Sequence, residues 1–105
     1  MSAPAVAEVF AALGDPVRQR LLESLASGGA ASTTALAGPL DVTRQAVDKH
    51  LRVLDRAGLV GQQRHGREVL WSVRRAELDR SAAWLADVAA QWDRRLLAVK
   101  RLAEQ

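Results

Sequence analysis

The sequence predicts a mainly α-helical domain that carries one two-stranded β-hairpin, and three observations lead there. Apolar residues recur at helical spacing through most of the 105-residue chain. That period gives way to alternation only between Leu59 and Val73. Capping and stop residues punctuate the periodic segments where helices should begin and end. A chain this short has room for one domain, residues 1–105, and buries a modest core, so association would add materially to its stability.

Residues Ala3 to Leu13 read as a short first helix with Val6, Val9, Phe10 and Leu13 on one face, ended by Gly14. Asp15-Pro16 opens a second: aspartate is a good N-cap, and proline fits the first helical position. Val17, Leu21, Leu22 and Leu25 form its buried stripe, and Gly28-Gly29 stop it. Ser32 to Leu40 reads as a third, short helix capped by Ser32 or Thr33, with Leu36 and Leu40 inward and Gly38-Pro39 closing it in a tight turn. Thr43 caps a fourth helix over about 43–57, with Ala46, Val47, Leu51 and Leu54 at helical spacing and Gly58 just past its end.

Leu59, Val60, Val69, Trp71 and Val73 then mark two strands over about 59–74, with Arg64-His65-Gly66-Arg67 as the hairpin tip. From about 75 to 104 the chain reads as one long helix. Its Leu78, Ala82, Leu85, Ala89, Trp92, Leu96, Val99 and Ala103 repeat in steps of four and three, a coiled-coil-like seam. At ~1.5 Å per residue this helix reaches ~45 Å, whereas a compact domain of about 100 residues has a radius of gyration of ~13 Å. A second subunit is the simplest partner for such a seam; folding back on the first helix is the alternative.

Composition narrows the function. Hydrophobic residues make up 49% of the chain and charged ones 26%, which places it with ordinary globular proteins rather than disordered ones. The net charge of +3 is unevenly placed. Between Asp41 and Arg75 lie eight basic residues (Arg44, Lys49, Arg52, Arg56, Arg64, Arg67, Arg74, Arg75) against four acidic ones (Asp41, Asp48, Asp55, Glu68). The remainder carries a small acidic excess, so the middle third alone suits a polyanionic partner. Without cysteine, disulfides, thiolate metal sites and thiol redox sensing are excluded. Glu8 interrupts the apolar N-terminal stretch, which lacks a basic leader, and no run approaches the ~20 apolar residues of a membrane span. A cytoplasmic protein is expected, and the preference for arginine over lysine hints at a GC-rich bacterial genome.

A short helix, a turn, a capped helix with outward basic residues and then a hairpin make up the winged helix-turn-helix layout. The major groove of DNA admits one α-helix, held by its apolar face with the polar residues of its first turns toward base edges. Arg44 and Gln45 lie in that first turn; arginine pairs with guanine and glutamine with adenine. Thr43 and the free amides of the helix start suit a phosphate. Lys49, His50 and Arg52 are placed for backbone phosphates, which set register, although His50 also reads as packed against the preceding helix. Arg64 and Arg67 flank the hairpin tip within reach of a minor groove or its phosphates. Catalysis is not expected: the two histidines are far apart, and there is no Gly-rich phosphate loop, cysteine nucleophile or glycine-flanked serine. The alternative is a winged-helix protein-interaction module that does not read DNA; it would show an apolar patch in place of the basic helix and tip.

The stretches Leu13-Gly-Asp-Pro-Val-Arg-Gln-Arg-Leu-Leu, Val42-Thr-Arg-Gln-Ala-Val-Asp-Lys-His-Leu-Arg-Val-Leu and Ala57-Gly-Leu-Val resemble the ArsR/SmtB family of bacterial repressors. The run Lys49-His50-Leu51-Arg52-Val53-Leu54 is the most specific part. The closing segment, with Trp84, Trp92, Arg94-Arg95-Leu96 and Lys100, is similar to a metal-independent branch. The resemblance implies a homodimer joined through its first and last helices, with Phe10, Leu85, Trp92, Leu96 and Val99 in the interface. It also implies an inverted-repeat operator, usually in the protein's own promoter, and release of DNA when a signal arrives. Two departures matter. The region where the family's arsenic and cadmium sites carry cysteines is Ser32-Thr-Thr-Ala-Leu-Ala here, and the last helix offers Asp79 and Asp87 but no histidine, so no metal and no cofactor are expected. Asp48 lies where a small hydroxyl residue is common, which places a carboxylate on the DNA face.

Overall fold

The computed structural model describes residues 6–105 and contains five helices and one antiparallel hairpin: α1 (Val6–Ala12), α2 (Pro16–Gly28), α3 (Thr33–Leu40), α4 (Arg44–Arg56), β1 (Val60–His65), β2 (Glu68–Val73) and α5 (Arg75–Ala103). The first residues of the expected N-terminal helix, Ala3 to Ala5, lie outside the described residues. Local signals set the helix starts. Asp15 is extended and its Oδ1 accepts from the Val17 and Arg18 amides at 2.8 and 3.2 Å, with Pro16 at the first helical position. Ser32 and Thr43 cap α3 and α4, accepting from the Ala35 and Ala46 amides at 3.2 and 3.1 Å.

At the end of α4 the chain turns through Gly58, whose φ of 82° is open to glycine at little cost. The Gly58 amide donates to Asp55 O and the Leu59 amide to Leu54 O, both at 2.9 Å, the paired bonds of a Schellman motif. This reversal aims the chain into β1.

The end of α3 corrects the sequence expectation. Gly38 and Pro39 do not form the turn; both are helical, and Asp41 closes the helix in the left-handed region (φ 53°, ψ 42°). Pro39 cannot donate to the carbonyl four residues back, on Ala35, and both residues are exposed. Aspartate tolerates the left-handed conformation better than most side chains.

The core lies between α2, α3, α4 and the base of the hairpin. Val9, Leu21, Val47, Leu51, Leu54, Leu59 and Val60 are wholly buried, and Trp71 is nearly so. Helix α2 packs on α3, α4 and β2, and α1 lies against α4 and α5. The hairpin pairs Val60 with Val73 through to His65 with Glu68, so the turn is the two residues Gly66-Arg67, with Gly66 at φ 62°. His65, expected in the tip, ends β1. The sheet gains a short third member at its base: Ala31 and Trp71 exchange both backbone bonds (3.0 and 2.8 Å), and Trp71 Nε1 donates to Thr33 Oγ1 at 3.2 Å.

Helix α5 leaves this body. Its first two turns bury Glu77 and Ser81, and Trp84 meets the Phe10 ring at a centroid distance of 5.7 Å and an angle of 59°. Beyond Trp84 nearly every residue is exposed. The molecule measures 69 × 33 × 20 Å, with a radius of gyration of 18.3 Å against ~13 Å for a compact chain of similar length. No helix among the described residues is long and apolar enough to cross a membrane.

Candidate nucleic-acid interface

Helix α4 divides cleanly. Val47, Leu51 and Leu54 face the core, while Gln45, Lys49, Arg52 and Arg56 lie exposed on the opposite side with Arg44 beside them. The Thr43 cap takes up the Ala46 amide, which leaves the Arg44 and Gln45 amides among the outward donors every helix start presents.

An open groove of about 1070 Å³ runs beside this face. Arg44, Gln45, Asp48 and Lys49 of α4 form one wall, Ser32, Thr33 and Thr34 at the start of α3 another, and Arg67, Glu68 and Val69 of the hairpin a third. Four expected residues, Arg44, Gln45, Lys49 and Arg67, therefore meet around one concavity, with Thr43 at its α4 end. Arg52 is exposed one turn further along α4, and Arg64 is exposed on β1 opposite Val69.

Sequence reasoning missed the α3 wall. Ser32 and Thr33 are engaged, by the Ala35 amide and the Trp71 indole, while the Thr34 side chain is exposed. The signal was present in a run of three hydroxyl residues at a helix start, where a cap and outward amides suit an anion.

Two side chains behave differently from the rest. Asp48 does not face the groove as an unpartnered charge: its Oδ2 accepts from Arg52 Nε at 2.8 Å, an i,i+4 pair on the exposed face. Exposed pairs of this kind add little stability; here the effect is to cancel a carboxylate that would repel phosphate. His50 lies on the flank of α4 that meets α2, half-buried, with Nδ1 3.3 Å from an Arg18 terminal nitrogen. The packed reading of His50 expected the preceding helix as its neighbour; the neighbour here is Arg18 of α2. Close by, the Arg18 backbone N–H, aided by that of Val17 and by the Arg18 charge, holds the Asp15 carboxyl below the usual carboxylate range, against the opposing effect of desolvation.

The residues expected in a subunit interface lie along one side of α5. Leu85, Trp92, Leu96 and Val99 are 51, 61, 48 and 56% exposed, and Trp84, Val88 and Leu102 extend the same stripe. Phe10 on α1 is half-buried at its proximal end. The alternative of folding back on the first helix describes only the start of α5, since α1 is seven residues long and covers the helix near Trp84. Among the described residues, no three His, Asp or Glu side chains gather in a group that could hold a metal ion.

A capped helix with an outward basic face, set between a second helix start and a basic hairpin tip, defines a winged helix-turn-helix protein. Comparison with known proteins agrees. Residues 13–63 match the family model described as a helix-turn-helix domain. An ArsR-like transcriptional regulator from Rhodococcus sp. RHA1 is 43% identical, with a TM-score of 0.83 over 93% of this chain and 92% of its own. The transcriptional repressor SdpR of Bacillus subtilis is 26% identical over 85 residues, 81% of this chain and 93% of that protein. A homodimeric winged helix-turn-helix DNA-binding domain from Mycobacterium bovis, a possible ArsR-family regulator, is 26% identical with a TM-score of 0.63 over 87% of this chain and 81% of its own. The chain belongs to the ArsR-like family of helix-turn-helix transcriptional regulators.

Proposed function

We propose that this regulator is a cytoplasmic repressor that binds an inverted-repeat operator as a homodimer and controls its own promoter, acting by binding rather than catalysis. The observation that carries the reading is the groove where the first turn of α4, the start of α3 and the tip of the hairpin converge. Gln45 and Arg44 read base edges, Arg44 at guanine and Gln45 at adenine. Thr43, Lys49, Arg52, Arg64 and Arg67 hold phosphates, with Thr34 joining them from α3. The apolar stripe of α5, continuous with Phe10 and Trp84, meets its counterpart in a second copy, which sets two copies of α4 on one duplex. Residues 1–105 act as a single winged helix-turn-helix domain, with no metal or cofactor in this scheme.

Fluorescence anisotropy on the gene's upstream DNA and on a scrambled duplex, at two salt concentrations, tests this. Specific affinity near ~10⁻⁸ M or better, with clear loss at high salt, is expected. Equal, weak and salt-insensitive binding to both would overturn it in favour of a protein-interaction module.

A further inference from the structure

The geometry points to Arg18 as a positioning residue for DNA recognition, one that sets α4 against the end of α1 through the His50 imidazole. The inference rests on α4 being the DNA-reading helix. Arg18 is on α2, half-buried, and its guanidinium spans two other elements. Nε donates to the carbonyl of Ala12, the last residue of α1, at 2.5 Å. A terminal nitrogen of the same group reaches Nδ1 of His50, in the middle of α4, at 3.3 Å. One planar side chain thus ties the helix leading toward the α5 stripe to the helix carrying Gln45 and Arg52.

The chemistry of this link restricts its protonation state. A guanidinium only donates, so Nδ1 must offer a lone pair, and the imidazole must be neutral with its proton on Nε2. A proton on Nδ1 would set two cations face to face. Other charged groups lie near this link. Asp15, at the N-cap of α2, interacts electrostatically with both His50 and Arg18. Glu8 of α1 and Arg56 of α4 line the neighbouring cleft between those helices and place opposite charges there. Protonation at Nδ1 would remove the acceptor and loosen the Arg18–His50 tie. A phosphate contact by His50 would respond with the opposite sign, because protonation strengthens a contact with an anion.

The test uses the full chain with His65→Gln as background, since His65 is the other histidine and lies exposed near the hairpin tip. Affinity for the operator and for a scrambled duplex is measured at pH 7.5 and 5.5, with sedimentation and thermal melting at each pH. If only the neutral imidazole supports binding, operator affinity should fall several-fold between pH 7.5 and pH 5.5. His50→Asn, whose Oδ1 stands where Nδ1 stood and does not titrate, should bind equally at both pH values. Arg18→Lys keeps the charge but cannot span both acceptors, and should weaken operator binding at pH 7.5 without changing the dimer or lowering the melting temperature to match.

Affinity that is flat or rises on acidification would overturn the inference, as would a fall that persists in His50→Asn or full affinity in Arg18→Lys. Sequence-indifferent binding at both pH values would remove α4 as the reading helix, and the inference with it. Sequence-specific binding with a flat pH profile would remove only the role of Arg18.

Discussion

Truncation of Leu96 to alanine probes the α5 stripe at one point. Leu96 is 48% exposed in the single chain, so its truncation scarcely touches the monomer core. The change removes about three methylene equivalents, worth ~2.4 kcal/mol if the side chain passes from full exposure to full burial. Because about half is already covered, association gains only ~1.2 kcal/mol from these atoms in each copy. A two-fold interface contains the residue twice, for ~2.4 kcal/mol in all, and the dimer dissociation constant should rise about 50-fold. Sedimentation velocity over a concentration series measures this directly, and operator binding should weaken in parallel. Leu96→Asp, which buries a charge at the same place, should leave no dimer at micromolar concentration. A folded Leu96→Asp protein that sediments as a dimer would refute α5 as the interface, and a shift under about 5-fold for Leu96→Ala would refute the burial assigned to this position.

Three further predictions concern α4 and its surroundings. Arg44→Ala or Gln45→Ala should each cost ~1–3 kcal/mol on the operator and relax preference at one base pair, seen by titrating single-base operator variants. Arg67→Ala should weaken operator and scrambled DNA alike and reduce the slope of log affinity against log salt by ~0.9; an unchanged slope would show that the tip meets no phosphate. Asp15→Asn tests the α2 cap. A carboxyl with a lowered pKa stabilises the fold above its unfolded value of ~3.9 and loses that contribution as pH falls through the lower folded value. The gap in melting temperature between wild type and Asp15→Asn should therefore narrow below about pH 4, and an equal gap at pH 7 and pH 3 would speak against the lowered pKa.

The parts of the fold legible in the sequence were those decided by near neighbours along the chain. Asp15-Pro16, Thr43 and Gly58 act on amides and carbonyls a few residues away, so reading them needs no tertiary knowledge. The outward basic residues of α4 followed from the same logic, since Val47, Leu51 and Leu54 determine which flank is left for Gln45 and Lys49. What failed depended on contacts distant in sequence or on solvent. Pro39 continues a helix at an exposed position, which a local rule for proline does not register. The Arg18 neighbour of His50 lies thirty-two positions earlier in the chain, and the cancellation of Asp48 by Arg52 depends on rotamers rather than spacing alone. The α3 wall of the groove escaped notice because Ser32 and Thr33 read fully as a cap.

The double bond pair between Ala31 and Trp71 has a mechanical consequence. It clamps β2 near its base, and the indole bond to Thr33 adds a second fastening, so the root of the hairpin is tied to the start of α3 as well as to the chain on either side of it. Stiffness should fall with distance from Trp71: slow amide exchange at the clamp, fast exchange at Gly66 and Arg67, with the gradient running over half a strand. If the tip is the softer end, it can follow changes in groove width along a duplex while its root stays in register with α4. Ordering on DNA then costs conformational entropy only in the few residues of the tip.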